Sequence, residues 1–94
     1  DGLRLAIGVS GDAGASKTSA NTGAVYLFTF GDRNFTSPTL QSIIGLGYSG
    51  GKNLSVANLG ANDAFGSAVS LNGNRLAVGA PRDDGATNAS TDVG

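Results

Sequence analysis

Phe65-Gly66-Ser67-Ala68-Val69-Ser70-Leu71-Asn72-Gly73-Asn74-Arg75-Leu76-Ala77-Val78-Gly79-Ala80-Pro81 is the stretch on which the reading of the fold turns. Apolar residues alternate with small or polar ones from Phe65 to Leu71 and again from Arg75 to Val78, the period of two that a half-buried strand requires. Between the two runs stands Asn72-Gly73. This dipeptide is a strong hairpin signal, because the tight turn that matches the twist of the flanking strands needs positive φ, which Asn and Gly adopt at least cost. The stretch predicts two antiparallel strands, near 65–71 and 75–80.

The second strand of that hairpin is written twice in the chain. Asn72-Gly73-Asn74-Arg75-Leu76-Ala77-Val78-Gly79 aligns with Asp1-Gly2-Leu3-Arg4-Leu5-Ala6-Ile7-Gly8 at an offset of 71 residues. The register runs on through Asp83 opposite Asp12 and Gly85 opposite Gly14 to Gly94 opposite Gly23, with ten identities in 23 positions. Chance supplies about one or two, so the repeat is genuine. Residues 1–71 are one full period and residues 72–94 begin the next. Within the period, further strands are predicted near 3–9, where Leu3, Leu5 and Ile7 alternate, near 24–30 in Ala24-Val25-Tyr26-Leu27-Phe28-Thr29-Phe30, and near 39–44 after Pro38. Asn53-Leu54-Ser55-Val56-Ala57 is a weaker strand candidate inside the glycine-rich connection from Gly45 to Ala64. No window carries a sustained helical period, and 16 glycines penalise helices further. The chain reads as all-β.

Phe65-Gly66, a strand, a turn, a strand, Gly79-Ala80-Pro81, and a Gly23-Ala24-Val25-Tyr26 strand together resemble the FG-GAP repeat, known from the β-propeller of integrin alpha chains and from bacterial surface proteins. The first copy departs from the pattern, with Gly8-Val9-Ser10 where Gly-Ala-Pro would stand. The resemblance implies four-stranded antiparallel blades around a central axis, a single β-propeller fragment over 1–94, and an extracellular or cell-surface setting. Apolar residues on both sides of Ala24 to Phe30 suit a blade buried on both faces, and Gly66 and Gly79 would let blades approach closely. A free-standing small β-sandwich is the alternative architecture.

Composition limits the chemistry. Among 94 residues there is no His, Cys, Met, Trp or Glu. An imidazole base, a thiolate nucleophile, a disulfide and a zinc site of the usual ligands are therefore excluded. Serine nucleophiles would have only Asp, Lys17 or Lys52 as bases. No enzyme is expected. Six scattered Lys and Arg against seven Asp give a net charge of −1, so no basic patch points to nucleic acid, and no apolar run reaches the roughly 20 residues of a membrane-spanning helix.

Calcium is the cofactor that the resemblance brings to mind, since integrin-type blades hold it in an Asp-rich loop between their first two strands. Here that position is Leu71-Asn72-Gly73-Asn74-Arg75, with no carboxylate, so the function does not carry over. The weaker metal candidates are Asp83, Asp84, Asn88 and Asp92, with Asp12 in the sister loop: oxygen donors of the kind a hard cation takes. The same residues serve equally to brace a polar loop through backbone hydrogen bonds. Tyr48, in Gly47-Tyr48-Ser49-Gly50-Gly51, is a candidate exposed contact, whereas Tyr26 and Phe28 at alternate positions read as packing.

Two functions follow as expectations. One is a non-enzymatic propeller repeat unit whose partners are other copies of itself, giving a propeller-like homo-oligomer. By strand count, residues 1–45 form a blade without its first strand and 65–81 the first two strands of the next, which leaves edges that natural sheets avoid. The other is an adhesion-type module that recognises a protein, glycan or calcium through its loops.

Overall fold

The computed structural model describes residues 3–83. It contains β1 (Arg4–Val9), β2 (Ala24–Thr29), β3 (Thr39–Gly45), β4 (Leu54–Ser55), β5 (Ala68–Asn72) and β6 (Arg75–Gly79), and no helix among the described residues. β1 to β4 form one sheet in chain order, and β5 and β6 form a separate hairpin.

β1 and β2 are antiparallel with Leu5 opposite Phe28 and Ile7 opposite Tyr26, and β3 continues the ladder with Ile43 opposite Tyr26. A register shift at Leu27/Phe28 places Leu40, rather than Gln41, opposite Phe28. The Gln41 amide donates to Thr29 Oγ1 at 3.0 Å and its carbonyl accepts from Lys52 Nζ at 3.0 Å. β4 is parallel to β3. The sheet is therefore mixed, not the wholly antiparallel blade that the resemblance implied. The reason lies in the connection: Asn53 Oδ1 accepts the Ile43 amide at 2.8 Å and Ser42 Oγ donates to the Lys52 carbonyl at 2.8 Å. These side-chain bonds draw Lys52 and Asn53 onto the β3 edge after a turn in Gly47–Gly51, so only two residues of the predicted 53–57 strand join the sheet.

The hairpin forms, but its two-residue turn is Gly73-Asn74 rather than the expected Asn72-Gly73: Asn72 ends β5 paired to Arg75, with Leu71 opposite Leu76 and Val69 opposite Val78. Gly73 takes the positive φ of 60° that the tight turn needs. Its first strand begins at Ala68, three residues later than the alternation suggested. Phe65 instead makes an isolated parallel bridge to Gly23, Gly66 has φ 90°, and the Ser67 amide closes a turn onto the Ala64 carbonyl at 3.1 Å. The chain bends through Phe-Gly before it extends.

Buried apolar side chains among the described residues are few: Ala24, Val25, Tyr48 and Leu59, beside the buried polar residues Asp12, Thr22, Ser42 and Asp63. Half of this interior is polar and must be hydrogen-bonded to be tolerated. Asp63 accepts the Gly60 amide at 2.7 Å and Thr22 Oγ1 donates to the Asp12 carbonyl at 3.2 Å.

Candidate functional site

Alternation gives the four-stranded sheet two distinct faces. Arg4, Ala6, Gly8, Leu27 and Ser42 share one, and Leu5, Ile7, Val9, Phe28 and Leu40 share the other. The hairpin packs on the first face. Gly66 crosses Gly8 so closely that a Cβ on Gly8 would overlap the Gly66 carbonyl oxygen, and a Cβ on Gly66 would sit 2.6 Å from the Ala24 carbonyl oxygen. At the other end of the hairpin, Arg4 Nη1 donates to the Gly73 carbonyl at 2.8 Å and to Asn74 Oδ1 at 3.1 Å. Between these anchors lies a cavity of about 260 Å³ lined by Leu27, Leu71 and Leu76 under a polar rim of Arg4, Thr29 and Gln41. Val69, Leu71, Leu76 and Val78 of the hairpin are half-buried, while Ala68, Ser70, Arg75 and Ala77 are exposed.

Of the two glycines expected to permit close approach, Gly66 does so. Gly79 does not: a Cβ there would meet nothing nearer than the Ala68 carbonyl oxygen at 3.8 Å. Its repeat-mate Gly8 carries the role, because among the described residues the hairpin is layered on the first copy and nothing is layered on the second. Gly23 belongs to the same crossing, pressed against the Phe65 backbone.

The second face is open over most of its length. Leu5, Ile7, Val9 and Leu40 are 36%, 42%, 36% and 46% exposed. Among the described residues its covered end is that of Ala24 and Gly45, where Tyr48 lies within 3.1 Å of the position a Gly45 Cβ would take and meets the Tyr26 ring edge-on at 6.5 Å. Tyr48 is thus buried, and the expectation of an exposed contact there is corrected. Its ring fills the gap beside Gly45, and its hydroxyl donates to Asp12 Oδ2 at 2.5 Å.

Asp12 is the one metal candidate of the sequence whose surroundings are fully described. Its carboxylate also accepts from Lys17 Nζ at 3.2 Å, its amide donates to the Val9 carbonyl at 3.1 Å and its carbonyl accepts from Gly23 at 3.0 Å. Burial pushes the Tyr48 phenol well above its ordinary value. The hydrogen bonds to Asp12 and Tyr26 and the Asp12 charge push it the same way. The arrangement is a brace that ties the 10–22 loop to the 45–51 turn, where the Ala15 amide also donates to the Leu46 carbonyl at 2.9 Å. Asp83 is half-exposed, its amide closing a turn onto the Ala80 carbonyl at 3.1 Å. Asp84, Asn88 and Asp92 lie outside the described residues. Among those described, no three acidic side chains converge on one point.

Sequence reasoning missed the Tyr48–Asp12 pair. The two residues are 36 apart, and nothing in the spacing of a glycine-rich segment shows which loop it will fold against. The open face was legible in principle, since Leu5 and Ile7 repeat Leu76 and Val78.

Residues 53–94 match the family described as the FG-GAP repeat. No curated protein and no solved structure gives a significant match to the chain.

Proposed function

With residues 53–94 an FG-GAP repeat, we propose that the chain is a non-enzymatic propeller-type repeat unit that assembles with further copies of itself through its sheet faces. One observation carries this reading. Leu76 and Val78 are half-buried, Leu76 facing Arg4 and Leu27 across the cavity, while Leu5 and Ile7, which occupy the same places one period earlier, stand exposed at 36% and 42%. The packing of the hairpin on the sheet supports repeat-to-repeat stacking, with the matching apolar face of the first copy left exposed. Completing the burial of Leu5, Ile7, Val9 and Leu40 would contribute on the order of 2–6 kcal/mol, taking a third to a half of about 1.5–3 kcal/mol for each. That is a large share of the net stability of a small domain. Because donor and acceptor faces differ, the contact is head-to-tail, and it closes into a ring or grows into a filament.

Sedimentation equilibrium at micromolar concentration tests the reading. A discrete multiple of 9.2 kDa is expected, and Ile7→Lys should reduce it to monomer while leaving the strand signal in circular dichroism intact. A folded, cooperatively melting monomer of the wild type would refute it.

A further inference from the structure

We propose that assembly proceeds by strand exchange, in which β5 of one copy pairs with β1 of a second copy in place of its own β6. The inference rests on the assembly reading above and specifies its geometry. β1 is bonded to β2 along one edge only. The Phe30 amide donates to the Leu3 carbonyl at 2.9 Å, so by alternation the odd-numbered residues of β1 bond β2 and the amides of Arg4, Ala6 and Gly8 point to the other edge. No strand of the chain lies along that edge among the described residues.

The occupant is specified by the repeat. β6 reads Arg75-Leu76-Ala77-Val78-Gly79, and the corresponding part of β1 reads Arg4-Leu5-Ala6-Ile7-Gly8, a difference of one methylene. β5 therefore finds in β1 of another copy nearly the same partner as β6. The β5–β6 register transfers directly: Ala68 opposite Gly8, Val69 opposite Ile7, Ser70 opposite Ala6, Leu71 opposite Leu5 and Asn72 opposite Arg4. The exchange has a physical direction. Paired with β6, β5 belongs to a two-stranded ribbon, the least stable kind of sheet; paired with β1, it joins a sheet already three strands deep before β4. The incoming Leu5 and Ile7 would then occupy the half-buried places of Leu76 and Val78, so the same step covers the exposed face.

The chain has no cysteine, which makes the register testable by cross-linking. Val69→Cys and Ile7→Cys chains are mixed at equal concentration with oxidised glutathione, which accepts the two electrons of each disulfide formed. Exchange predicts a heterodimeric cross-link at least tenfold more abundant than that of a Val69→Cys and Leu5→Cys mixture, whose cysteines lie two residues out of register. A second measurement needs no substitution. On raising the chain from sub-micromolar to high micromolar concentration, the Arg4, Ala6 and Gly8 amides should slow in hydrogen exchange by tenfold or more. If the chain sediments as an oligomer without selective cross-linking or protection at β1, strand exchange is overturned and face-to-face assembly stands. If it sediments as a folded monomer, both fall.

Discussion

Gly8 and Gly79 are the same position in two copies of the repeat, yet the structure assigns them opposite tolerances. Replacing Gly8 by Ala puts a methyl group into the Gly66 carbonyl, whose carbon would lie 2.9 Å away. Ordinary carbon contacts are about 3.5–4.0 Å, so the two backbones must part by roughly 1 Å. Neither side can yield by rotating a side chain, because both surfaces are main chain. Moving Gly66 strains its amide bond to the Gly79 carbonyl at 3.0 Å and the neighbouring Phe65 bond to Thr22 at 3.0 Å, and it lifts Leu71 and Leu76 away from Leu27. Overpacking of about 1–3 kcal/mol and one weakened hydrogen bond of about 1 kcal/mol together give a loss of about 2–4 kcal/mol. In a domain of this size that lowers the melting temperature by roughly 10–25 °C. Gly79→Ala meets no atom nearer than 3.8 Å and sits outside the left-handed region, so its stability should stay within about 0.5 kcal/mol of wild type or rise slightly. Urea denaturation and thermal melting of the two variants at one fixed protein concentration give the comparison. Equal losses in both variants, or none in Gly8→Ala, would refute the argument that close backbone approach holds the hairpin on the sheet.

Tyr48→Phe keeps the ring that fills the Gly45 gap but takes the donor from Asp12 Oδ2; a loss of about 1–2 kcal/mol at neutral pH is expected in urea titrations. The raised pKa of Tyr48 also gives a pH signature. Its stabilising contribution is fully present below the unfolded value of 10.0 and is lost as pH rises above it, because the unfolded chain then releases a proton that the folded one retains. Tyr48→Phe should flatten that alkaline decline, and an unchanged slope would contradict the burial of the hydroxyl. Asp63→Ala should cost about 1–3 kcal/mol, since the carboxylate is 1% exposed and holds the Gly60 amide just before the Phe65-Gly66 bend; a melting curve within experimental error of wild type would count against that role. Calorimetric titration with calcium should give no heat from Asp12, whose carboxylate is already engaged by Lys17 and Tyr48. A micromolar affinity abolished by Asp83→Ala would instead place a cation in the sister loop.

The sequence by itself determined the local structure. Period-two alternation in Leu3–Ile7 and Ala68–Leu76, the Asn72-Gly73 turn signal and the 71-residue repeat located the strands to within a few residues and marked Phe65-Gly66 as special. These are near-neighbour properties, set by which side of a pleat each residue faces and by which backbone angles Asn and Gly tolerate. Tertiary structure alone decided the rest. The parallel pairing of β4 depends on Ser42 meeting Lys52 and Ile43 meeting Asn53, each across ten residues. The burial of Tyr48 depends on the 10–22 loop arriving with Asp12. The difference between Gly8 and Gly79 exists only because the hairpin lies on the first copy and nothing described lies on the second. Identical residues in a repeat share local conformation, but their energetic roles are set by what is stacked against them, and that information resides in the packing of elements distant in the chain.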